Sequence, residues 1–137
     1  MMSGRYLLDT NTASYIIKGN VPRVRERLLR VSAADALISV ITEAELRFGV
    51  LRRPDAKRLN IVVEEFLRFI EIRPWDSTAA GYYAELRAAL EAGGQPMGGL
   101  DMMIAAHALA LGAVLVTSDR VFRRVKGLKL ENWGVPA

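Results

Sequence analysis

The chain is punctuated by short apolar runs: Tyr6-Leu7-Leu8, Ala36-Leu37-Ile38-Ser39-Val40 and Ala113-Val114-Leu115-Val116, with the smaller alternating Ile70-Glu71-Ile72 between them. A strand with one wet face alternates apolar and polar residues, whereas a wholly apolar run is covered on both faces. The segments between the runs read as helices. Thr12 to Lys18 is closed by the stop pair Gly19-Asn20, and Pro22 begins a second helix that reaches about Val31. Thr42 to Arg52 carries Ala44, Phe48 and Leu51 along one face and stops at Pro54. Asp55 is placed to cap a helix with Leu59, Val62, Val63, Phe66 and Leu67 at 3–4 spacing. Asp76 caps a helix to about Ala92 that ends at Gly93-Gly94, and Asp101 opens one that Gly112 closes. A short helix near Arg120–Val125 and a last strand, Leu128-Lys129-Leu130, complete the pattern. Buried strands alternating with helices predict an α/β fold, a central parallel sheet flanked by helices on both faces.

With 137 residues, 51% of them hydrophobic, the chain suits one domain, 1–137, with one core. It has no cysteine, which excludes disulfides and thiolate metal sites and fits a reducing, cytoplasmic setting. His107 is its only histidine, so a multi-histidine zinc site is excluded and any metal is oxygen-bound, which favours Mg²⁺ or Mn²⁺. No segment approaches the roughly 18 apolar residues of a membrane span, and the N-terminus lacks a signal-peptide pattern. The net charge of +4 mildly favours a polyanionic partner.

Four acids share one local context. Asp9 ends the first strand, Glu45 lies one turn into the helix after the second, Asp101 opens the helix after a Gly-rich loop, and Asp119 follows Val114-Leu115-Val116-Thr117-Ser118. Each has an ordinary structural reading. Asp9, Asp101 and Asp119 suit helix caps, and Thr42-Glu43-Ala44-Glu45 fits a capping box. Sites in open parallel sheets form at the carboxyl ends of the strands, however, and the acids stand at such ends. Carboxylates gathered there repel one another unless a hard cation neutralises them, and such a cation activates water beside a phosphate. Thr10 and Asn11 beside Asp9, and Thr117 and Ser118 before Asp119, are placed to orient carboxylates or hold water.

Other residues point less sharply to chemistry. Glu43 faces away from Glu45 and reads as solvated, and His107 as a partly buried structural histidine. Arg23, Arg25, Arg27 and Arg30 make a basic helix, either solvated surface or a contact for RNA or a partner. The glycines at 93–94 and 98–99 match neither the P-loop nor the dinucleotide fingerprint.

The stretches YLLDTNTASYIIKG, ISVITEAELRFGV, PMGGLDMMIAAHALALG and AVLVTSDRVFRRVKGLKLENW, in this order along nearly the whole chain, resemble the VapC toxins of bacterial toxin–antitoxin pairs, which are PIN-domain ribonucleases. The resemblance implies a single PIN domain over 1–137. It implies Mg²⁺- or Mn²⁺-dependent cleavage of RNA, often tRNA or another RNA of translation. It further implies a VapB-type antitoxin, a toxin homodimer and a larger complex bound to DNA through the antitoxin. The family's acids match Asp9, Glu45 and Asp101 as catalytic residues and metal ligands. Asp119 stands at a fourth position where many relatives carry Asn, and the Thr117-Ser118-Asp119 triplet departs from the commoner TNN or TND. The surface of the early helices, with Tyr15, Ile16, Leu46 and Val50, is the expected antitoxin contact or else core.

Two other classes compete. A haloacid-dehalogenase-like phosphatase needs a second aspartate two residues after the first, where Asn11 stands. A catalytically inactive PIN-like module that binds only RNA or an antitoxin would typically have lost one or more of the acids, and this chain keeps all four.

Overall fold

The computed structural model describes residues 5–136. Five strands, β1 (Tyr6–Leu8), β2 (Ala36–Ser39), β3 (Glu71–Arg73), β4 (Val114–Val116) and β5 (Leu130–Glu131), form one sheet in the order β3-β2-β1-β4-β5, and every neighbouring pair is parallel. Helices α1 (Thr10–Lys18), α2 (Pro22–Arg30), α3 (Val40–Leu51), α4 (Lys57–Phe69), α5 (Ser77–Ala92) and α6 (Gly99–Leu111) connect them, with 3₁₀ turns at Ala33–Asp35 and Arg120–Arg124.

The apolar runs are apolar throughout because alternate residues enter different cores. Leu7 lies in register with Leu37 and Leu115, and these pack with Leu86 and Leu90 of α5 and Ile104 of α6. One step along, Leu8 lies in register with Ile38 and Val116, and these pack with Ile16 of α1, Val24 of α2, Phe66 of α4 and Trp133. The chain runs from β1 outward to β2 and β3, then returns through α5 and α6 to place β4 on the other side of β1. That reversal makes the carboxyl ends of β1 and β4 a topological switch point, where open α/β sheets hold their sites.

Local signals set several boundaries. Gly19 (φ 69°) and Gly112 (φ 62°) take the left-handed conformation that ends α1 and α6. The Asp76 carboxylate accepts the Ala79 N–H at 3.1 Å and starts α5.

Other boundaries differ from expectation. β2 stops at Ser39, whose hydroxyl accepts the Ile41 N–H at 3.0 Å, so α3 begins at Val40. Thr42 and Glu45 therefore lie inside the helix and form no capping box. The buried face of α3 is Thr42 and Leu46, while Phe48 and Leu51 are 59% and 77% exposed. Ala56, not Asp55, precedes α4, and no side chain caps that helix. Gly98 starts α6 and leaves Asp101 in its first turn. The last strand is Leu130–Glu131, because the Lys129 carbonyl is the acceptor for Leu115 N–H at 2.8 Å and pairing starts from there. Ile16 and Leu46 are core residues with Tyr15 and Val50 packed against them, so the core alternative holds for Tyr15 and Ile16, while Leu46 and Val50 also border a groove along α3.

Candidate active site

Asp9 is fixed from both sides. Its N–H donates to the Val116 carbonyl at 3.0 Å, which holds it at the edge of the β1–β4 pair. Its Oδ1 accepts the Thr12 N–H at 2.8 Å, so it also caps α1. Only 4% exposed, it pays desolvation as a charged group. Burial raises its pKa above the ordinary 3.8, the Thr117 and Thr12 side chains pull it back, and the nearby Asp119 charge pushes it up. The Thr12 hydroxyl donates to the Val116 carbonyl at 3.1 Å, so the α1 start is tied to the β4 end.

Glu45 projects from the second turn of α3. The Thr10 hydroxyl donates to its Oε1 at 2.5 Å. A hydroxyl has one proton to give, so in the 3.2 Å contact between Thr10 Oγ1 and Thr42 Oγ1 the donor is Thr42. Thr42 is fully buried, and the relay Thr42 to Thr10 to Glu45 orients the half-buried glutamate.

Asp101, half-buried at the start of α6, accepts no hydrogen bond among the described residues. Its pKa is raised first by burial and then by the charges of Asp119, Glu45 and Asp9. Asp119 begins the 3₁₀ turn, where its Oδ1 accepts the Val121 N–H at 2.9 Å and its own N–H donates to Thr117 Oγ1 at 3.0 Å. The four acids, supplied by the ends of β1 and β4 and the starts of α3 and α6, thus feel one another at a single edge of the sheet.

The polar neighbours divide. Thr10 and Thr117 touch the acids, whereas Asn11 and Ser118 are exposed and bond to none of them among the described residues. Thr12 bonds to Asp9 without having been expected, and Thr42, expected as a cap, instead backs Thr10 where it meets Glu45. Thr12 lies three residues after a capping aspartate, and Thr42 one turn before Glu45 on the same helix face, which is the signal that could have found them. Glu43 turns outward to Arg47 at 2.8 Å. His107 is buried and structural, with Nδ1 2.8 Å from Ser39 Oγ, and burial lowers its pKa.

Among the described residues, no three acidic or imidazole groups close on one point as a preformed cage. The donor set nevertheless fits a hard divalent cation. It is all oxygen, it carries uncompensated mutual repulsion at Asp101, and Mg²⁺ keeps several of its waters and takes only one or two carboxylates directly.

A parallel sheet in this order with acids at its switch point defines a class, and a PIN domain model matches residues 6–128. The chain belongs to the PIN-domain family, in its VapC branch. It is 37% identical over 130 residues to the tRNA(fMet)-specific endonuclease VapC of Salmonella typhimurium, covering 94% of this chain and 98% of that one. It is 35% identical, with the same coverage, to ribonuclease VapC2 of Haemophilus influenzae. The crystal structure of DNA-bound VapBC from Salmonella typhimurium superposes with a TM-score of 0.88 at 36% identity, covering 96% of this chain and 99% of that one. VapBC2 from Rickettsia felis, bound to a DNA fragment from its promoter, gives 0.86 at 35% identity, with coverage of 93% and 98%.

Proposed function

We propose that the chain is the toxin of a toxin–antitoxin pair, an endoribonuclease that depends on Mg²⁺ or Mn²⁺, cleaves tRNA or another RNA of translation and is neutralised by a VapB-type antitoxin. The observation that carries the reading is the gathering of Asp9, Glu45, Asp101 and Asp119, from four separate elements, at the carboxyl edge of the sheet, where burial first and then the charges of the other three raise the Asp101 pKa.

Asp9, Glu45 and Asp101 would hold the cation, directly or through water, with Asp119 beside them. A divalent cation bound there supplies an activated water and offsets charge on the scissile phosphate. The chain's own residues hold the geometry. Thr12 and the Thr117 hydroxyl keep Asp9 oriented and favour its charged form against burial. Thr10 and Thr42 fix Glu45. Val121 N–H occupies Oδ1 of Asp119, and the other oxygen would be available to the water shell of a bound cation. Such a water would attack the phosphorus in line, losing a proton to solvent, while the 3′ oxygen would leave and take up a proton as the 3′ hydroxyl, so no side chain would become covalently attached.

The antitoxin's place is an apolar groove of about 630 Å³ that opens beside Thr10 and Glu45 and is lined by Phe48, Leu100 and Met103. An exposed apolar groove next to acids suits a partner segment that brings apolar anchors and a cation such as arginine. The DNA-bound VapBC structures support an assembly of toxin and antitoxin on DNA, and the toxin's homodimer and the antitoxin's hold on that DNA are carried from the family resemblance. No helix among the described residues is long and apolar enough to cross a membrane, and the cytoplasm is where this activity meets its RNA.

The test is cleavage of initiator tRNA by the purified chain with Mg²⁺ or Mn²⁺, with EDTA, and by Asp101→Asn. Cleavage that EDTA and the substitution both remove supports the reading, and undiminished cleavage in EDTA or by the variant overturns it.

A further inference from the structure

The acidic edge opens on two grooves of opposite chemistry. The apolar one runs past Thr10 and Glu45 along α3. The other, of about 340 Å³, begins at Thr117, Ser118 and Asp119 and continues between Arg120, Arg123 and Asn132 to Val135. Val135 also lines a smaller groove of about 90 Å³ walled by Arg23, Arg27 and Arg30 of α2, so the two grooves adjoin at Val135, between the acids and the basic helix.

The charges along this line of two grooves are uneven. Glu131, in its wall, is already neutralised, since its Oε1 accepts from Arg27 Nη2 and from Trp133 Nε1, both at 3.0 Å. Arg27 is held in that pair with its guanidinium 5.7 Å from the Trp133 ring centre. Arg120, Arg123, Arg23 and Arg30 make no ion pair among the described residues, and Glu26 is the one remaining acid of the α2 wall. Guanidinium forks without carboxylate partners along a groove match the oxygens of a phosphodiester chain. A groove with one end at catalytic acids and the other at arginines also solves an electrostatic problem, because acids alone repel the polyanion they have to cut.

We propose that this groove carries the RNA strand on one side of the scissile phosphate, with Arg120 and Arg123 taking the phosphates nearest the acids and Arg23 and Arg30 those further out. The proposal rests on the ribonuclease reading and adds where the substrate lies. Asn132, whose Oδ1 accepts the Gly134 N–H at 2.8 Å, keeps its amide N–H groups for a sugar or base edge. The arginines therefore set affinity and the acids set the chemical rate.

The experiment compares wild type, Arg120→Ala/Arg123→Ala, Arg120→Lys/Arg123→Lys and the distant Arg58→Ala on initiator tRNA. It uses steady-state cleavage, together with binding of the same tRNA measured between about 50 and 200 mM salt. The alanine pair should raise KM and Kd roughly tenfold with kcat within about twofold. It should also make the slope of log K against log salt shallower by about 1.4, at about 0.7 for each single-strand phosphate no longer neutralised. The lysine pair should keep the wild-type slope, and Arg58→Ala should match wild type throughout. Unchanged Kd and slope in the alanine pair, or a fall in kcat alone, overturns the groove assignment. If wild-type protein cleaves neither initiator tRNA nor bulk tRNA and ribosomal RNA, the ribonuclease reading fails, and the binding arm still judges the groove. Thermal melts equal to wild type show that each variant is folded.

Discussion

Replacing Thr10 by valine tests the relay at Glu45 while leaving shape almost unchanged. The Thr10 hydroxyl does two things: it donates to the Glu45 carboxylate at 2.5 Å and accepts from Thr42 at 3.2 Å. Valine removes both. Losing a hydrogen bond to a charged group costs about 1.5–3 kcal/mol when buried, and less here because Glu45 reaches solvent. Thr42 is fully buried, so its orphaned hydroxyl costs a further 1–3 kcal/mol or so, reduced if it turns to its own helix carbonyl. A net loss of about 2–3 kcal/mol lowers Tm by roughly 8–12 °C in a domain of this size. Thr42→Val alone leaves Thr10 bonded to Glu45 and should cost about 1 kcal/mol. In the double variant no hydroxyl is stranded, so stability recovers by about 1–2 kcal/mol over Thr10→Val, a non-additive cycle. Activity should not follow. Glu45 remains unheld in the double variant, and loss of an orienting partner costs about 10- to 100-fold in activity or metal affinity. Thermal melts and tRNA cleavage on the four proteins give both cycles. Wild-type cleavage by Thr10→Val, or a double variant that regains activity together with stability, refutes the relay.

Asp101→Asn should lower cleavage by about a hundredfold or more, at 1.36 kcal/mol per factor of ten, without lowering the Tm of the metal-free protein, because the charge it removes is one that its neighbours oppose. The raised pKa values of Asp9 and Asp101 mean that the folded chain holds more protons than the unfolded one above their ordinary 3.8. Their contribution therefore favours folding in acid and is lost as pH rises through the raised values. Melts in EDTA should show Asp101→Asn with a flatter pH dependence than wild type on the rising-pH side. Mg²⁺ or Mn²⁺ should raise wild-type Tm near neutral pH, by an amount equivalent to about 2.7 kcal/mol at a hundred times Kd, and Asp9→Asn should lose most of that gain in a thermal shift assay. Gly19→Ala should cost about 1 kcal/mol or more, because φ is +69° and a Cβ would sit 2.7 Å from Arg25 Nη1, displacing the guanidinium whose Nε donates to the Ile16 carbonyl. Urea unfolding checks it, and in an Arg25→Ala background the penalty should shrink to the backbone part.

Tertiary pairing shifted some ends that local sequence signals had set. Val40 reads as strand beside Ile38, yet the sheet pairing of β2 ends at Ser39 opposite Arg73, and the serine hydroxyl turns the chain into α3. That shift of about one turn converts Thr42 from a cap into a buried donor. Asp55 has the chemistry of a cap and does not act as one, because the chain leaves α3 through a turn that brings only its carbonyl to Lys57 N–H.

By itself the sequence determined the layered α/β plan, the helix stops at Gly19 and Gly112, the Asp76 cap and the four acids at strand and helix ends. These follow from hydrophobic period and from backbone demands that one residue type meets, and both act over a few neighbours. Only the tertiary structure decided that the acids come to one edge of the sheet, that Thr12 holds Asp9 and Thr42 backs Thr10 against Glu45 while Asn11 and Ser118 bond to none of them, and that Phe48 faces a groove rather than the core. Those outcomes depend on which strands become neighbours and in what register, set by burying two faces of one sheet at once, and such long-range pairing leaves no local trace in the order of residues.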